Sequence, residues 1–182
     1  MAERRAVYSG RIVQLGLETA VFPNGHEVEL EIIRHPGASA VVPLHDDGTI
    51  TLVHQHRHAA GGMTIEVPAG VLERGEAPER CAARELAEEA QLAAQELRFL
   101  STIFTTPGFT DEKIHLFLAR GLRVAEGSPE EDEYIRLIRV PLTEALRWCS
   151  EGRITDGKTI CALHLAAAAV AAERSDSGAP PR

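Results

Sequence analysis

The stretch Gly70 to Leu92, GVLERGEAPERCAARELAEEAQL, constrains this chain more than any other. It predicts one helix whose carboxylates are concentrated in a way that stability alone disfavours. At 3.6 residues per turn, Glu85, Glu88 and Glu89 fall at i, i+3 and i+4 and share a face, while Ala82, Leu86 and Ala90 form an apolar stripe beside them. Each like-charge pairing costs a few tenths of a kcal/mol on a bare helix, so a cation is expected to neutralise the cluster. A divalent metal ion would do so. The flanking chemistry marks the ends of the element. Pro68-Ala69-Gly70 breaks an apolar run, Arg74-Gly75-Glu76 makes a turn, and Pro78 stands where a helix needs no amide donor.

The spacing sharpens the signal. Five residues separate Gly70 from Glu76, seven more lead to Arg84, and then follow Glu85, Leu86, Glu88, Glu89 and Leu92. This pattern resembles the signature of the Nudix hydrolases at every defining position except Gln91, where the family has glycine. The resemblance implies an α+β fold, the Nudix α/β/α sandwich with a mixed central sheet, here preceded by an N-terminal antiparallel hairpin. It implies magnesium or manganese held by Glu85, Glu88, Glu89 and the Ala69 carbonyl, with Arg84 orienting a carboxylate. Oxygen ligands of this kind suit hard cations. Glutamine at 91 must either adopt a left-handed backbone or let the helix run on by a residue or more, into a stretch, Ala90 to Leu97, rich in helix formers.

Composition limits the partners. The chain has 182 residues, 44% hydrophobic and 25% charged, as expected of a globular chain with one main domain. A net charge of -8 argues against a nucleic-acid surface, so an anionic substrate must be drawn in by local cations. Cys81, Cys149 and Cys161 lack ligand spacing and read as reduced thiols of a cytoplasmic protein. No run reaches the length of a membrane span, and no membrane partner is expected.

In chain order, Val7 to Phe22 and His26 to Arg34 alternate around the turn Pro23-Asn24-Gly25 and predict a hairpin, so residues 1–36 are set apart from the domain at 37–172. Related sugar-nucleotide hydrolases dimerise through such a sheet, which implies a homodimer in which Glu31 and Arg34 contact substrate. Ala38 to Leu44 and Thr49 to His56 predict the central hairpin. His54, His56 and His58 alternate beyond it but lack the companions of a metal site and read as polar strand residues. By resemblance to ADP-ribose pyrophosphatases, Arg57 contacts substrate and Glu66, on the strand Thr64 to Pro68, faces the nucleotide. The loop Pro107-Gly108-Phe109-Thr110-Asp111-Glu112 is similar to one that closes on the substrate in those enzymes, with Glu112 as a further metal contact. By the same resemblance a glutamate of the acidic loop approaches metal-bound water, which makes Glu131 and Glu133, or Glu88 of the helix, candidates for the general base. Strands at Leu97 to Phe104, Lys113 to Arg120 and Tyr134 to Val140 and helices at Pro141 to Ser150 and Asp156 to Ala172 complete the domain. The tail at 173–182 is expected to be disordered.

The activity implied by the resemblance is metal-dependent hydrolysis of the diphosphate bond of a nucleoside diphosphate sugar, with ADP-ribose giving AMP and ribose 5-phosphate. Another nucleotide sugar or a dinucleotide would use the same metal ligands. A non-catalytic ligand sensor is the reading that Gln91 keeps open.

Overall fold

The structure is a computed structural model that describes residues 4–125 and 135–176. Strands β1 (Arg4–Ser9), β2 (Gln14–Val21) and β3 (Glu27–Arg34) form an antiparallel sheet of their own. The sequence predicts two strands here and the structure has three, because the alternation from Val7 to Phe22 is interrupted by a turn in which the Gly10 N–H donates to the Val13 carbonyl at 2.9 Å.

The domain itself is built on β4 (Ala38–Pro43), β5 (Thr49–Arg57), β6 (Gly62–Glu66), β7 (Ala69–Val71) and helix α1 (Pro78–Ala90), then β8 (Leu92–Ala93), β9 (Glu96–Phe104), β10 (Lys113–Arg120) and β11 (Arg123–Val124). Strand β12 (Ile135–Pro141), α2 (Leu142–Ser150) and α3 (Gly157–Asp176) close it. One sheet runs β7-β4-β10-β9, with β4 and β10 parallel, and another runs β12-β5-β6. The expected central hairpin is therefore absent among the described residues. β4 and β5 meet only at the bridge Leu44 to Ile50 and then diverge into different sheets. Both faces of β4 are buried, which a two-strand ribbon could not provide.

Period-two alternation assigns the layers. Ala38, Ala40 and Val42 of β4 and Ile114, Leu116 and Leu118 of β10 face a core with Leu163 and Ala166 of α3 and Trp148 of α2. Val41, Phe117 and Ala119 face the other way, onto Ala82, Leu86 and Ala90 of α1. A helix layer thus lies on each side of the sheet, with α1 against its mixed centre. Burying Leu86 contributes roughly 2 to 3 kcal/mol to that docking. No helix among the described residues is long and apolar enough to cross a membrane.

The predicted tail is shorter than expected. α3 continues to Asp176, and Glu173 accepts hydrogen bonds from Arg98 at 2.6 Å and Arg120 at 2.5 Å, which tie the end of the helix to β9 and β10. Residues 177–182 lie outside the described residues.

Of the two outcomes open at Gln91, the structure has the left-handed one. α1 stops at Ala90, and Gln91 caps it with φ 56° and ψ 37°, alone among the described non-glycine residues in having a positive φ. A side chain there costs roughly 1 to 2 kcal/mol relative to the right-handed region. Gln91→Gly should therefore stabilise the protein by about 1 kcal/mol, a rise of about 2 to 4 °C in Tm. Thermal unfolding of the two proteins checks this, and an unchanged or lower Tm would contradict the strain argument.

Candidate functional site

A cleft of about 910 Å³ opens where α1, β5 and the start of α3 converge. One wall carries Ala69, Gly70, Glu85 and Glu88; another carries Gln55, Arg57 and Lys158. Ile103, Phe104 and Ile114 give it an apolar side, and Glu112 closes one end. The turn between β1 and β2 reaches it through Arg11 and Ile12, so the N-terminal sheet contributes to the cleft of its own chain.

Gly70 sets how closely the acidic helix can approach. A Cβ at that position would lie 1.8 Å from Glu85 Oε1, so only glycine lets this carboxylate rest against the backbone of β7. Glu89, 2% exposed, accepts a hydrogen bond from the Ala69 N–H at 2.9 Å. Glu85 and Glu89 thus both lie against β7, and Glu89 meets the amide of Ala69, whereas the resemblance implies the Ala69 carbonyl as a ligand.

Arg84 binds the rest of the cluster. Its Nε and Nη2 each donate to the Glu76 carboxylate at 3.1 Å, Nη1 donates to Glu85 at 2.6 Å and Glu88 at 3.0 Å, and Nη2 also reaches the Val71 carbonyl at 3.1 Å. The hydrogen bonds from Arg84 hold the Glu76 carboxyl below its ordinary pKa, and those carboxylates in turn hold the guanidinium above its own. The guanidinium is a cation lying across the like-charged face. The donor set, all carboxylate and carbonyl oxygen, suits a hard divalent cation. Among the described residues, however, no three acidic, histidine or cysteine side chains converge on one point, because Arg84 bridges Glu85 and Glu88 while Glu89 turns to the β7 backbone.

The second wall is organised by Glu66, 2% exposed. Its Oε1 accepts from Arg57 Nε at 3.0 Å and Thr64 Oγ1 at 2.6 Å, and its Oε2 from Arg57 Nη2 at 2.9 Å and Lys158 Nζ at 2.5 Å. A carboxylate offers about four acceptor positions, and here four donors use them. Burial alone would raise the Glu66 pKa, but the hydrogen bonds from Arg57 and the charge of Lys158 outweigh it and hold the group at about 2. Glu66, which the resemblance sets facing the nucleotide, is the counterion of Arg57 and Lys158 and is not among the described cleft-lining residues. Lys158 also pairs with Asp156 at 3.0 Å, while Asp156 caps α3 by accepting from the Thr159 N–H at 3.0 Å. Sequence reasoning missed Lys158. The Asp156-Gly157-Lys158-Thr159 start of a helix was legible, but nothing local shows that this turn docks against β6.

The remaining expected residues are distributed differently. Glu112 lines the cleft and accepts from Thr105 Oγ1 at 2.9 Å. Pro107 and Gly108 sit at the tip of a loop that is hooked to β3, the Ile33 N–H donating to the Phe109 carbonyl at 2.8 Å. Arg34 donates to Glu18 and, at 3.0 Å, to Asp111, and so fastens the same loop. Glu31 is exposed on β3. Neither Glu31 nor Arg34 is among the described cleft-lining residues. Glu131 and Glu133 lie outside the described residues. His58 leaves the strand for a short 3-10 turn, which ends the period-two run of histidines.

Comparison with known proteins agrees with this geometry. The model of the NUDIX domain matches residues 33–163. A methanol dehydrogenase activator of Bacillus methanolicus is 42% identical over 159 residues, covering 86% of each chain. An ADP-ribose pyrophosphatase of Bacillus subtilis (strain 168) is 40% identical over 162 residues, covering 88% of each. A solved structure titled as an ADP compounds hydrolase superposes with a TM-score of 0.82 at 20% identity, covering 95% of each chain, and this likeness speaks for the fold. With the domain match spanning most of the chain and a relative 40% identical over 88% of it, the chain belongs to the Nudix hydrolase family.

Proposed function

We propose that the protein hydrolyses the diphosphate bond of a nucleoside diphosphate sugar, with ADP-ribose as substrate and AMP and ribose 5-phosphate as products. The observation that carries this reading is the cleft itself, in which the carboxylates of α1 face a wall bearing Arg57 and Lys158. An overall charge of -8 repels a diphosphate, so cations inside the cleft must supply the attraction. The relatedness to an ADP-ribose pyrophosphatase across 88% of the chain supports the choice of substrate.

Glu85, Glu88, Glu89 and the Ala69 carbonyl would hold magnesium or manganese, with Glu112 as an additional ligand. Such a cation neutralises phosphate charge and makes bound water more acidic. The chain's own residues supply the rest. Arg84 aligns Glu85 and Glu88 and keeps their repulsion in check until the cation shares that task. Arg57 and Lys158 receive the diphosphate, held in place by Glu66. Glu88 is the half-exposed member of the acidic face and has the most freedom to turn toward substrate. Glu131 and Glu133 are assigned the proton-accepting part. Pro107 and Gly108 bring their loop toward the substrate, and Arg34, with two carboxylate partners, positions that loop.

A homodimer through β1, β2 and β3 completes the reading. Val7, Tyr8, Val21 and Phe22 are exposed on that sheet, and its outer strand β1 offers an unpaired edge. Glu31 is then presented to a second copy. The enzyme is placed in the cytoplasm, where Cys81, Cys149 and Cys161, all free, stay reduced.

Three measurements check this. Specificity constants with magnesium should rank ADP-ribose above GDP-mannose, NADH and nucleoside triphosphates; a better competitor overturns the substrate. Glu85→Gln should lower turnover at least a hundredfold while leaving Tm within a few degrees, because the substitution also relieves like-charge repulsion; turnover within tenfold of wild type overturns the metal assignment. Light scattering should give twice the chain mass of 19.7 kDa, and an active monomer overturns the dimer.

A further inference from the structure

Gln55 stands in the cleft wall, the proposed chemistry does not use it, and its amide oxygen lacks a hydrogen-bond donor among the described residues. It is 3% exposed, it lines the cleft, and its Oε1 has no hydrogen-bond partner among the described residues. The strand register explains its company. Gln55 is paired with Thr64, and two residues along β5 stands Arg57, paired with Gly62; Glu66 faces Val53 on the same side. The amide therefore belongs to the same sheet face as the Arg57–Glu66–Lys158 group, but all four acceptor positions of Glu66 are taken by other donors.

A buried amide oxygen with no donor is destabilising, and an apolar side chain of equal length would fill the site without that penalty. Its presence beside two cations points to a ligand. Arg57 and Lys158 attract a phosphate, and an amide next to a phosphate can both accept from and donate to a hydroxyl. A ribose phosphate carries those two groups a few bonds apart. We propose that Gln55 is a substrate-positioning residue, its amide hydrogen-bonding a hydroxyl of a ribose whose phosphate is held by Arg57 and Lys158. This rests on the nucleoside diphosphate sugar reading. Both halves of ADP-ribose contain a ribose phosphate, so the chemistry is shared and the products separate the two.

The test is Gln55→Met in the full-length protein, with magnesium present. Tm should stay the same or rise, since an unsatisfied polar group is removed. The value of kcat/KM for ADP-ribose should fall at least tenfold, chiefly through KM. The inhibition constant of either AMP or ribose 5-phosphate should rise at least fivefold, and the product affected identifies the half that sits against Gln55. The proposal is overturned if kcat/KM stays within twofold of wild type, if neither inhibition constant moves, or if Tm falls by more than a few degrees, which would mean that the amide has an internal partner. Wild-type protein that fails to hydrolyse any nucleotide sugar would instead defeat the functional reading on which the proposal stands. In that case ribose 5-phosphate binding, measured calorimetrically in wild type and variant, still decides the part played by Gln55.

Discussion

Two carboxylates, Glu85 and Glu89, are buried on the face of α1 that packs against the sheet, and the packing around them is arranged so that this is tolerable. Taking an ionised carboxylate out of water costs several kcal/mol unless hydrogen bonds and a counterion replace the solvent. One buried leucine on the same helix returns less than that. The surroundings supply the difference through three features. Gly70 leaves room for the Glu85 carboxylate, the Ala69 N–H meets Glu89, and Arg84 lies across Glu85 and Glu88 while anchored to Glu76. β7 is positioned for this by its pairing with β4, and β4 in turn by β10, so the mixed centre of the sheet fixes the floor on which the charge cluster rests.

The opposite wall solves the inverse problem. There the buried group is a single anion, Glu66, and the groups that face outward are cations. Arg57 holds Glu66 through two parallel hydrogen bonds and, among the described residues, leaves N–H donors over, since a guanidinium carries five. Lys158 spends donors on Glu66 and Asp156 and has three in all. Saturating the anion while leaving the cations unsaturated is what gives a wall with positive character in a chain of net negative charge. The two walls thus present a cleft with carboxylates on one side and cationic side chains on the other.

Much of this was legible in the sequence because the signal was local. The spacing from Gly70 to Leu92 predicts α1 and its acidic face, with Pro78 in its first turn, and the predicted strand Lys113 to Arg120 is β10 to the residue. What was not legible depends on packing between distant segments. Ala38 to Leu44 and Thr49 to His56 look like a hairpin, yet a strand buried on both faces takes parallel and antiparallel neighbours, and β4 finds them in β10 and β7. Lys158 reaches Glu66 across 92 residues of sequence, a contact that no local pattern encodes. Glu173 was read as tail because its neighbours are polar, but Arg98 and Arg120 stand on adjacent strands within reach and extend the helix.

Gln91 shows how a departure from a family pattern can leave the site intact. The family's glycine answers a need for a left-handed backbone at the end of the helix, and the glutamine here meets the same need at an energetic cost. That backbone does two things. The Gln91 N–H donates to the Ala87 carbonyl at 3.1 Å, closing the helix, and the Gln91 carbonyl accepts from the Ala125 N–H at 2.9 Å. The second bond extends the pairing of β8 with β11, so the turn after α1 ties Ala125 to the end of the helix. Both bonds are made by main-chain atoms. Glu85, Glu88 and Glu89 lie upstream within the regular helix, where the conformation of residue 91 does not change their relative directions. The side chain is therefore free to vary as long as the backbone turn survives, and the lost glycine bears on the stability of the helix end, with the acidic face left as it is.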